Sequence, residues 1–216
     1  MRVILFGATG MIGQGVLREC LADERVTAVL AVGRRPTGVP HPKLREIRHA
    51  GLTDLGPIED ELRGHDACFY CLGVSSAGMR EPDYRRVTYD FALAAGRTLA
   101  RLNPGSAFVY VSGAGTDAGA RAMWARVKGE TENALLELPL AAYVFRPGYI
   151  QPLHGVTPQT PLYRVAYMVT RPLWPLLRKL FAEEVTTTER IGQAMIAVAE
   201  HGAAKRILGP ADINAL

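Results

Sequence analysis

Three glycines near the start of the chain have the spacing of a phosphate-binding turn. Gly7, Gly10 and Gly13 directly follow the apolar run VILF at residues 3–6. The first glycine allows a tight turn, the second lets backbone N–H groups approach a pyrophosphate, and the third lets the next helix pack closely on the strand. The N-terminus of that helix adds a partial positive charge. The sequence therefore predicts a dinucleotide site at this turn, whereas Gly15 is predicted to be a packing residue.

Two arginines end the second predicted strand. An NAD site usually has a carboxylate there, about 20 residues past the glycines, which binds the ribose 2′-hydroxyl. This chain has Gly33-Arg34-Arg35 instead. A guanidinium suits a phosphate by its charge and its forked geometry. We predict that Arg34 and Arg35 bind the 2′-phosphate of NADP(H); the alternative is that both are solvated loop arginines.

The elements that must position these residues alternate along the chain. Apolar strands are predicted at 2–6, 27–32, 43–49, 66–72, 106–112, 140–145 and 205–208, and helical patterns at 11–23, 54–63, 82–101, 120–137 and 185–201. Such alternation with right-handed crossovers predicts an α/β fold, a doubly wound parallel sheet with helices on both faces. We expect one Rossmann-like domain over residues 1–216, with a small helical lid or substrate region at 150–185.

Composition excludes some classes of function. The chain has 25 basic and 21 acidic residues and no dense basic tract, so nucleic acid is not an expected partner. Three cysteines and no signal peptide predict a reducing cytoplasm. Cys68 and Cys71 have redox-like spacing, but on a strand they would point to opposite faces. We therefore predict packing roles for both cysteines, and no metal site.

The glycine turn, G-A-T-G-M-I-G at residues 7–13, resembles that of the extended and atypical short-chain dehydrogenase/reductases. These include the epimerase/dehydratase-like and NmrA-like NAD(P)-binding proteins. The resemblance covers nearly the whole chain. It implies that Thr9, Gly10, Met11 and Ile12 line the pyrophosphate loop.

The same resemblance implies further cofactor contacts at the carboxyl ends of strands. The pair Asp54-Leu55 matches an Asp–hydrophobic pair that contacts adenine. The pair Leu72-Gly73 matches a small-residue turn beside the adenosine ribose. The turn Arg146-Pro147-Gly148 resembles one near the nicotinamide, so Pro147 and Gly148 are expected there.

The resemblance also implies a hydride-transfer group of Ser, Tyr and Lys. The Tyr exchanges the proton, the Lys lowers the pKa of the Tyr and binds the nicotinamide ribose, and the Ser orients the substrate. Ser112 and Lys128 match two members, but Trp124 stands four residues before Lys128, where the Tyr belongs. Trp124 and Lys128 would share a helix face. An indole N–H only donates and does not titrate in a useful range, so Trp124 cannot replace the Tyr.

Three interpretations of the missing Tyr stay open. The protein binds NADP(H) without redox chemistry, or another group supplies the proton, or the proton passes through water. Tyr149 is favoured over Tyr110, Tyr89 and Ser75 as the other group because it follows the R-P-G turn. We therefore predict an NADP-dependent oxidoreductase or epimerase-like enzyme on an unknown small molecule. The alternative is a non-catalytic NADP(H)-binding sensor or regulator of the NmrA-like type.

The segment at residues 160–181 is rich in large apolar and aromatic side chains. Pro172 and Pro175 exclude one straight helix, and no uncharged run is long enough to span a bilayer. We interpret the segment as a lid over the nicotinamide end and as a candidate homodimer contact. Association with a membrane surface is the alternative.

Overall fold

Nine strands occur in the part of the chain that the computed structural model describes, residues 1–155 and 184–216. They are β1 (Arg2–Phe6), β2 (Ala28–Gly33), β3 (Leu44–Arg48), β4 (Ala67–Tyr70), β5 (Ala107–Val111), β6 (Ala141–Phe145), β7 (Tyr149–Gln151), β8 (Val185–Thr187) and β9 (Ile207–Leu208). The described helices are α1 (Met11–Ala22), α2 (Glu59–Leu62), α3 (Glu81–Arg85), α4 (Phe91–Leu102), α5 (Met123–Leu136), α6 (Thr188–His201) and α7 (Pro210–Ala215). A 3-10 turn (Gly56–Ile58) precedes α2, and a π-helical turn (Arg86–Asp90) joins α3 to α4.

The central sheet has seven parallel strands among the described residues, in the order β3-β2-β1-β4-β5-β6-β9. From β1 the chain adds β2 and β3 on one side of the sheet. It then crosses to the other side of β1, where β4, β5, β6 and β9 follow. Val3 accordingly pairs with Val29 of β2 on one side and with Ala67 of β4 on the other. The predicted doubly wound, Rossmann-like sheet is confirmed. Its strand order reverses between β1 and β4, where folds of this kind bind ligands.

Alternate residues of the strands feed two cores, one on each face of the sheet. Val3 and Leu5 face α1 and α6, whereas Ile4 and Phe6 face the side covered by α2, α4 and α5. Gly15 allows α1 and α6 to approach, because a Cβ there would lie 2.5 Å from the Cβ of Thr188. The predicted packing role of Gly15 is confirmed.

The two cysteines of the C-x-x-C sequence also divide between these cores. Cys68 packs into the core beside α4, and Cys71 packs against the core beside α1. Burial raises the pKa of both thiols. The prediction that they point to opposite faces is confirmed, and neither thiol has the low pKa of a reactive cysteine.

The structure corrects the predicted elements at three places. The helical pattern at 82–101 is interrupted by the π-helical turn Arg86–Asp90. Residues Val185–Thr187, predicted as the start of a helix, instead form β8, which pairs with the unpredicted strand β7. The helix begins at Thr188, three residues later than predicted, with Thr187 as its cap: the Thr187 hydroxyl accepts from the Arg190 N–H at 3.0 Å. Most of the predicted lid, residues 156–183, lies outside the described residues.

Candidate functional site

A cavity of about 560 Å³ lies at the carboxyl ends of β1 to β4, over the point where the strand order reverses. Its floor is the glycine turn after β1 together with the turn after β4. One wall comes from the ends of β2 and β3, and the opposite wall from α3 and the π-helical turn. Seven of the predicted cofactor residues line it: Gly7, Thr9, Gly10, Arg34, Arg35, Leu72 and Gly73.

The glycines of the turn have different spatial constraints. Gly7 has φ +81°, and a Cβ there would lie 2.6 Å from the Leu72 nitrogen. A Cβ on Gly13 would lie 2.0 Å from the Gly7 carbonyl oxygen, so only glycine lets α1 sit this close to β1. Among the described residues, a Cβ on Gly10 would meet only that same oxygen within 4 Å, at 3.3 Å. Gly7 and Gly13 are thus required by packing, whereas Gly10 leaves bare backbone at the cavity.

The first turn of α1 is unusually free of competing groups. Gly10 is its N-cap and supplies no side-chain cap, and the turn contains no acidic residue. The first N–H groups of a helix have no acceptor within the helix, so those of Met11 and Ile12 can serve a bound anion. The Met11 and Ile12 side chains pack against the core instead of lining the cavity. Any contact that they make with a diphosphate would therefore come from the backbone.

Arginines dominate the charge around the cavity. Arg34 and Arg35 are exposed at the end of β2, where the sequence placed a phosphate site. The structure adds two arginines that the sequence did not single out, Arg48 at the end of β3 and Arg86 on the π-helical turn. The π-helical turn also sets the Arg86 guanidinium 6.0 Å from the ring centre of Phe91, another lining residue.

The two carboxylates on the cavity wall already have partners. Glu46 accepts from the backbone N–H of Thr37 at 2.7 Å and from its hydroxyl. Asp83 accepts from the Arg80 side chain at 2.9 Å. Among the described residues that line it, four guanidinium groups outnumber two carboxylates, so this lining is electropositive, as a phosphorylated ligand requires.

The adenine contact predicted at Asp54-Leu55 stays a prediction, and the structure places both residues against a separate groove of about 390 Å³, not among the residues that line the cavity. Leu55 is buried in the core, and the Asp54 carboxylate accepts from the Gly56 N–H at 2.9 Å. Leu52, three residues before Leu55 and 3% exposed, lines the cavity instead. The loop after β3 turns back on itself, so the residue at the cavity comes earlier than the sequence match indicated.

Ser112 lies buried at the end of β5, with its hydroxyl already engaged. Its Oγ is 3.1 Å from the Thr116 Oγ1, and the Thr116 hydroxyl donates to the Gly113 carbonyl at 2.8 Å. Thr116 therefore has no second proton to give, so Ser112 donates to Thr116. In this arrangement Ser112 can accept a hydrogen bond, but it must reorient to donate one to a substrate.

Lys128 and Trp124 lie one turn apart on α5. Burial lowers the pKa of the half-buried Lys128 amine to about 8, and the nearby Glu132 carboxylate opposes part of that decrease. Trp124 is 36% exposed, and its ring lies 3.7 Å from the position of a Cβ on Gly115, over the loop after β5. The surroundings of Lys128 therefore lower its pKa. The residue one helical turn before it is Trp124, where the resemblance led us to expect a Tyr.

The turn after β6 meets the loop after β5. The Ala114 N–H donates to the Pro147 carbonyl at 3.0 Å, which ties this turn to the loop that begins at Ser112. A Cβ on Gly148 would lie 2.3 Å from the Glu184 carbonyl oxygen, so Gly148 lets β7 and the start of β8 approach. Tyr149 is half-buried on β7, and its hydroxyl donates to Gln151 at 3.1 Å.

The other proton donors that the sequence offered are less suitable. Tyr110 is 2% exposed within the core, and burial raises its pKa. Tyr89 lies against a separate groove of about 390 Å³, with the Arg85 guanidinium 4.4 Å from its ring centre. Ser75 lies in the loop after β4, where its Oγ accepts from the Ala77 N–H at 3.3 Å. Tyr149 is not among the residues that line the cavity, and its role as the proton donor stays a prediction.

A parallel sheet of this order, with a glycine-lined cavity at its point of reversal, defines a Rossmann-like α/β protein. The resemblance to extended and atypical short-chain dehydrogenase/reductases is confirmed by comparison with known proteins. No protein-family model matches the chain. The similarity to known proteins therefore rests on the fold and on individual relatives.

Two sequence relatives and one solved structure illustrate it. Rat protein HTATIP2 is 28% identical over 152 residues, which cover 68% of this chain and 62% of HTATIP2. Protein FMP52-2, mitochondrial, of Scheffersomyces stipitis is 28% identical over 151 residues, covering 68% of this chain and 65% of that protein. A dTDP-glucose 4,6-dehydratase of Streptomyces venezuelae, solved with NAD bound, superimposes with a TM-score of 0.70 at 18% identity and covers 97% of this chain and 75% of its own. The chain thus matches somewhat less than two thirds of the length of either sequence relative.

The compartment stays a prediction. Within residues 1–155 and 184–216, no helix has both the length and the apolar character needed to cross a bilayer. The Scheffersomyces stipitis relative carries the word mitochondrial in its name. The cytoplasmic location predicted from the cysteines is therefore not confirmed.

Proposed function

We propose that this protein binds NADP(H) and acts as an oxidoreductase or epimerase-like enzyme on a small molecule, with an acid other than the usual Tyr. The proposal depends chiefly on one observation: a single cavity joins the glycine turn that leads into α1 to Arg34 and Arg35. A diphosphate suits the first site, and a 2′-phosphate suits the second. The dehydratase of similar fold holds NAD, so the preference for NADP rests on the two arginines of this chain.

The residues that line the cavity fit the adenosine and diphosphate part of such a cofactor. The backbone N–H groups of Met11 and Ile12 would hold the diphosphate, with Gly7, Gly10 and Gly13 shaping the turn and Thr9 beside it. Leu52 would contact the adenine, and the turn Leu72-Gly73 the adenosine ribose. The nicotinamide end would extend toward Lys128 and the turn Pro147-Gly148.

The bound cofactor would supply or accept a hydride. Lys128 would donate hydrogen bonds to the nicotinamide ribose, and its lowered pKa makes that charge sensitive to pH near 8. Ser112 would orient the reacting oxygen of the substrate after giving up its bond to Thr116. Tyr149 would exchange the proton, with the substrate oxygen replacing Gln151 as the partner of its hydroxyl.

A binding and turnover experiment tests this proposal. NADPH is titrated by fluorescence, and its oxidation is then followed against a panel of carbonyl and enone substrates. We expect saturable binding, and oxidation with at least one substrate that is slowed by Tyr149→Phe. Arg45→Ala serves as a control for charge, because Arg45 pairs with Glu61 away from the cavity. Absence of NADPH binding would remove the proposal.

A second candidate function is a non-catalytic NADP(H) sensor or regulator. Two observations favour it: Trp124 occupies the position of the acid, and the Ser112 proton is already committed to Thr116. Binding of NADPH without turnover on any substrate of the panel, and without an effect of Tyr149→Phe, would select this candidate.

A further inference from the structure

Glu132 is a carboxylate with no exposure to solvent, in the middle of α5. Burial of a charged group is costly unless a partner compensates for it. The partner is Arg146, whose Nε lies 3.2 Å and 3.1 Å from the two carboxylate oxygens, and whose Nη2 also donates to one of them. Such a fork holds the carboxylate in one orientation.

This ion pair joins two parts of the candidate site that are distant in sequence. Lys128 precedes Glu132 by one helical turn, so both lie along the same face of α5. Arg146 directly follows β6 and begins the turn that carries Pro147 and Gly148. The Pro147 carbonyl in that segment accepts a hydrogen bond from the N–H of Ala114, two residues after Ser112.

We propose that Glu132 is a positioning residue: through Arg146 it fixes the Lys128 turn of α5 against the turn that leads to Tyr149. The proposal deepens the function proposed above and rests on it for the role of Lys128. Lys128, Arg146 and Tyr110 are ionisable groups that interact with Glu132. Of the charges there, Glu132 is the one that raises the pKa of Lys128 against its burial. Its carboxylate thus also helps to keep the amine protonated near neutral pH.

The test measures Lys128 directly, in protein without cofactor. Trace acetylation at a series of pH values, read by mass spectrometry, gives the midpoint at which the Lys128 amine becomes reactive. Glu132→Gln keeps the shape of the side chain and removes its charge. We expect the midpoint to fall below that of the wild type, and the reactivity at pH 7 to rise severalfold. Glu130→Gln is the matched control, because Glu130 pairs with Arg85 on a more exposed side of α5.

A second variant keeps the proposal testable if Glu132→Gln does not fold. Replacing both partners, Glu132→Met with Arg146→Met, removes the pair without leaving one charge buried. We expect its Lys128 midpoint to fall as well. An unchanged midpoint in either folded variant would overturn the proposal.

A cofactor measurement separates the two proposals. Glu132→Gln should weaken NADPH binding at pH 7 severalfold, whereas Glu130→Gln should not. If the wild type fails to bind NADPH, the proposed function falls, and the acetylation midpoint still decides the role of Glu132. If NADPH binds but Glu132→Gln leaves the midpoint unchanged, only the positioning role is wrong.

Discussion

A Cβ added to Gly13 would stand 2.0 Å from the Gly7 carbonyl oxygen, a contact that no side chain can make. The same oxygen accepts a hydrogen bond from the Gly10 N–H at 2.9 Å. The turn after β1 is therefore held closed by packing at one glycine, while another leaves backbone open toward the cavity.

This difference predicts opposite behaviour of two alanine variants. Gly13→Ala should lower the free energy of unfolding by roughly 1–3 kcal/mol, because the overlap is with backbone and forces α1 away from β1. Gly10→Ala should change it by less than about 1 kcal/mol, since the N-cap backbone is extended and a Cβ would lie 3.3 Å from the Gly7 carbonyl oxygen, a contact that a small shift relieves. Gly10→Ala should nevertheless weaken NADPH binding at least tenfold. Urea unfolding and NADPH titration distinguish the two, and undiminished binding by Gly10→Ala would place the diphosphate elsewhere.

The arginines at the end of β2 should decide which dinucleotide is preferred. Charge-assisted hydrogen bonds contribute about 1.5–3 kcal/mol when well formed and less at exposed positions. We therefore expect Arg34→Ala with Arg35→Ala to weaken NADPH binding roughly 10- to 100-fold and to leave NADH binding nearly unchanged. Titration of both nucleotides measures the ratio, with Arg45→Ala as the control. Equal losses for NADPH and NADH would mean that these side chains do not contact the 2′-phosphate.

Trp124→Tyr should introduce the missing acid one turn before Lys128. Trp124 is partly exposed, so the smaller ring should not disturb the core. We expect NADPH oxidation with carbonyl substrates to increase in Trp124→Tyr and not in Trp124→Phe, which has the same ring without the hydroxyl. Initial rates over a range of pH measure the gain. If the two variants behave alike, the geometry around Ser112 and Lys128 does not support proton transfer at this position.

The lowered pKa of Lys128 predicts a pH-dependent stability difference. Its pKa is about 8 in the folded protein and 10.5 for a free side chain, so between these values the unfolded chain binds more protons. Stability from this group therefore rises with pH in that window, and the cost of the buried charge is fully present below pH 8. Lys128→Met should be more stable than wild type at pH 7, by roughly 1–3 kcal/mol.

The advantage of Lys128→Met should shrink above pH 8 and vanish near pH 10.5. Denaturant unfolding at several pH values gives the free energy of unfolding of each protein. The buried cysteines and tyrosines titrate alike in both proteins, so their contribution cancels in the difference. Lys205→Met, which removes an exposed lysine paired with Asp212, should show no such window. A constant difference between Lys128→Met and wild type would contradict the assigned pKa.

The central sheet could be predicted from local patterns, because each buried strand is a short apolar run. The predicted run at 2–6 coincides with β1, and the run at 140–145 includes all of β6. The short strands β7 and β8 were not predicted, because three residues are too few to show the alternation of a strand. The π-helical turn was missed because its sequence continues the helical pattern on both sides.

By itself the sequence determined the strand–helix alternation, the glycine turn and the two arginines after β2, since each is encoded within a few neighbouring residues. Only the tertiary structure decided that Leu52 reaches the cavity where Asp54 was expected, and that Tyr110 is sealed in the core. It also decided that Arg86 faces the same cavity as Arg34, and that Glu132 meets Arg146. These relationships depend on the order of the strands and the course of their loops, which bring together residues far apart in the chain. Hydrophobic periodicity describes which face of an element is buried, but it carries no information about which distant element covers that face.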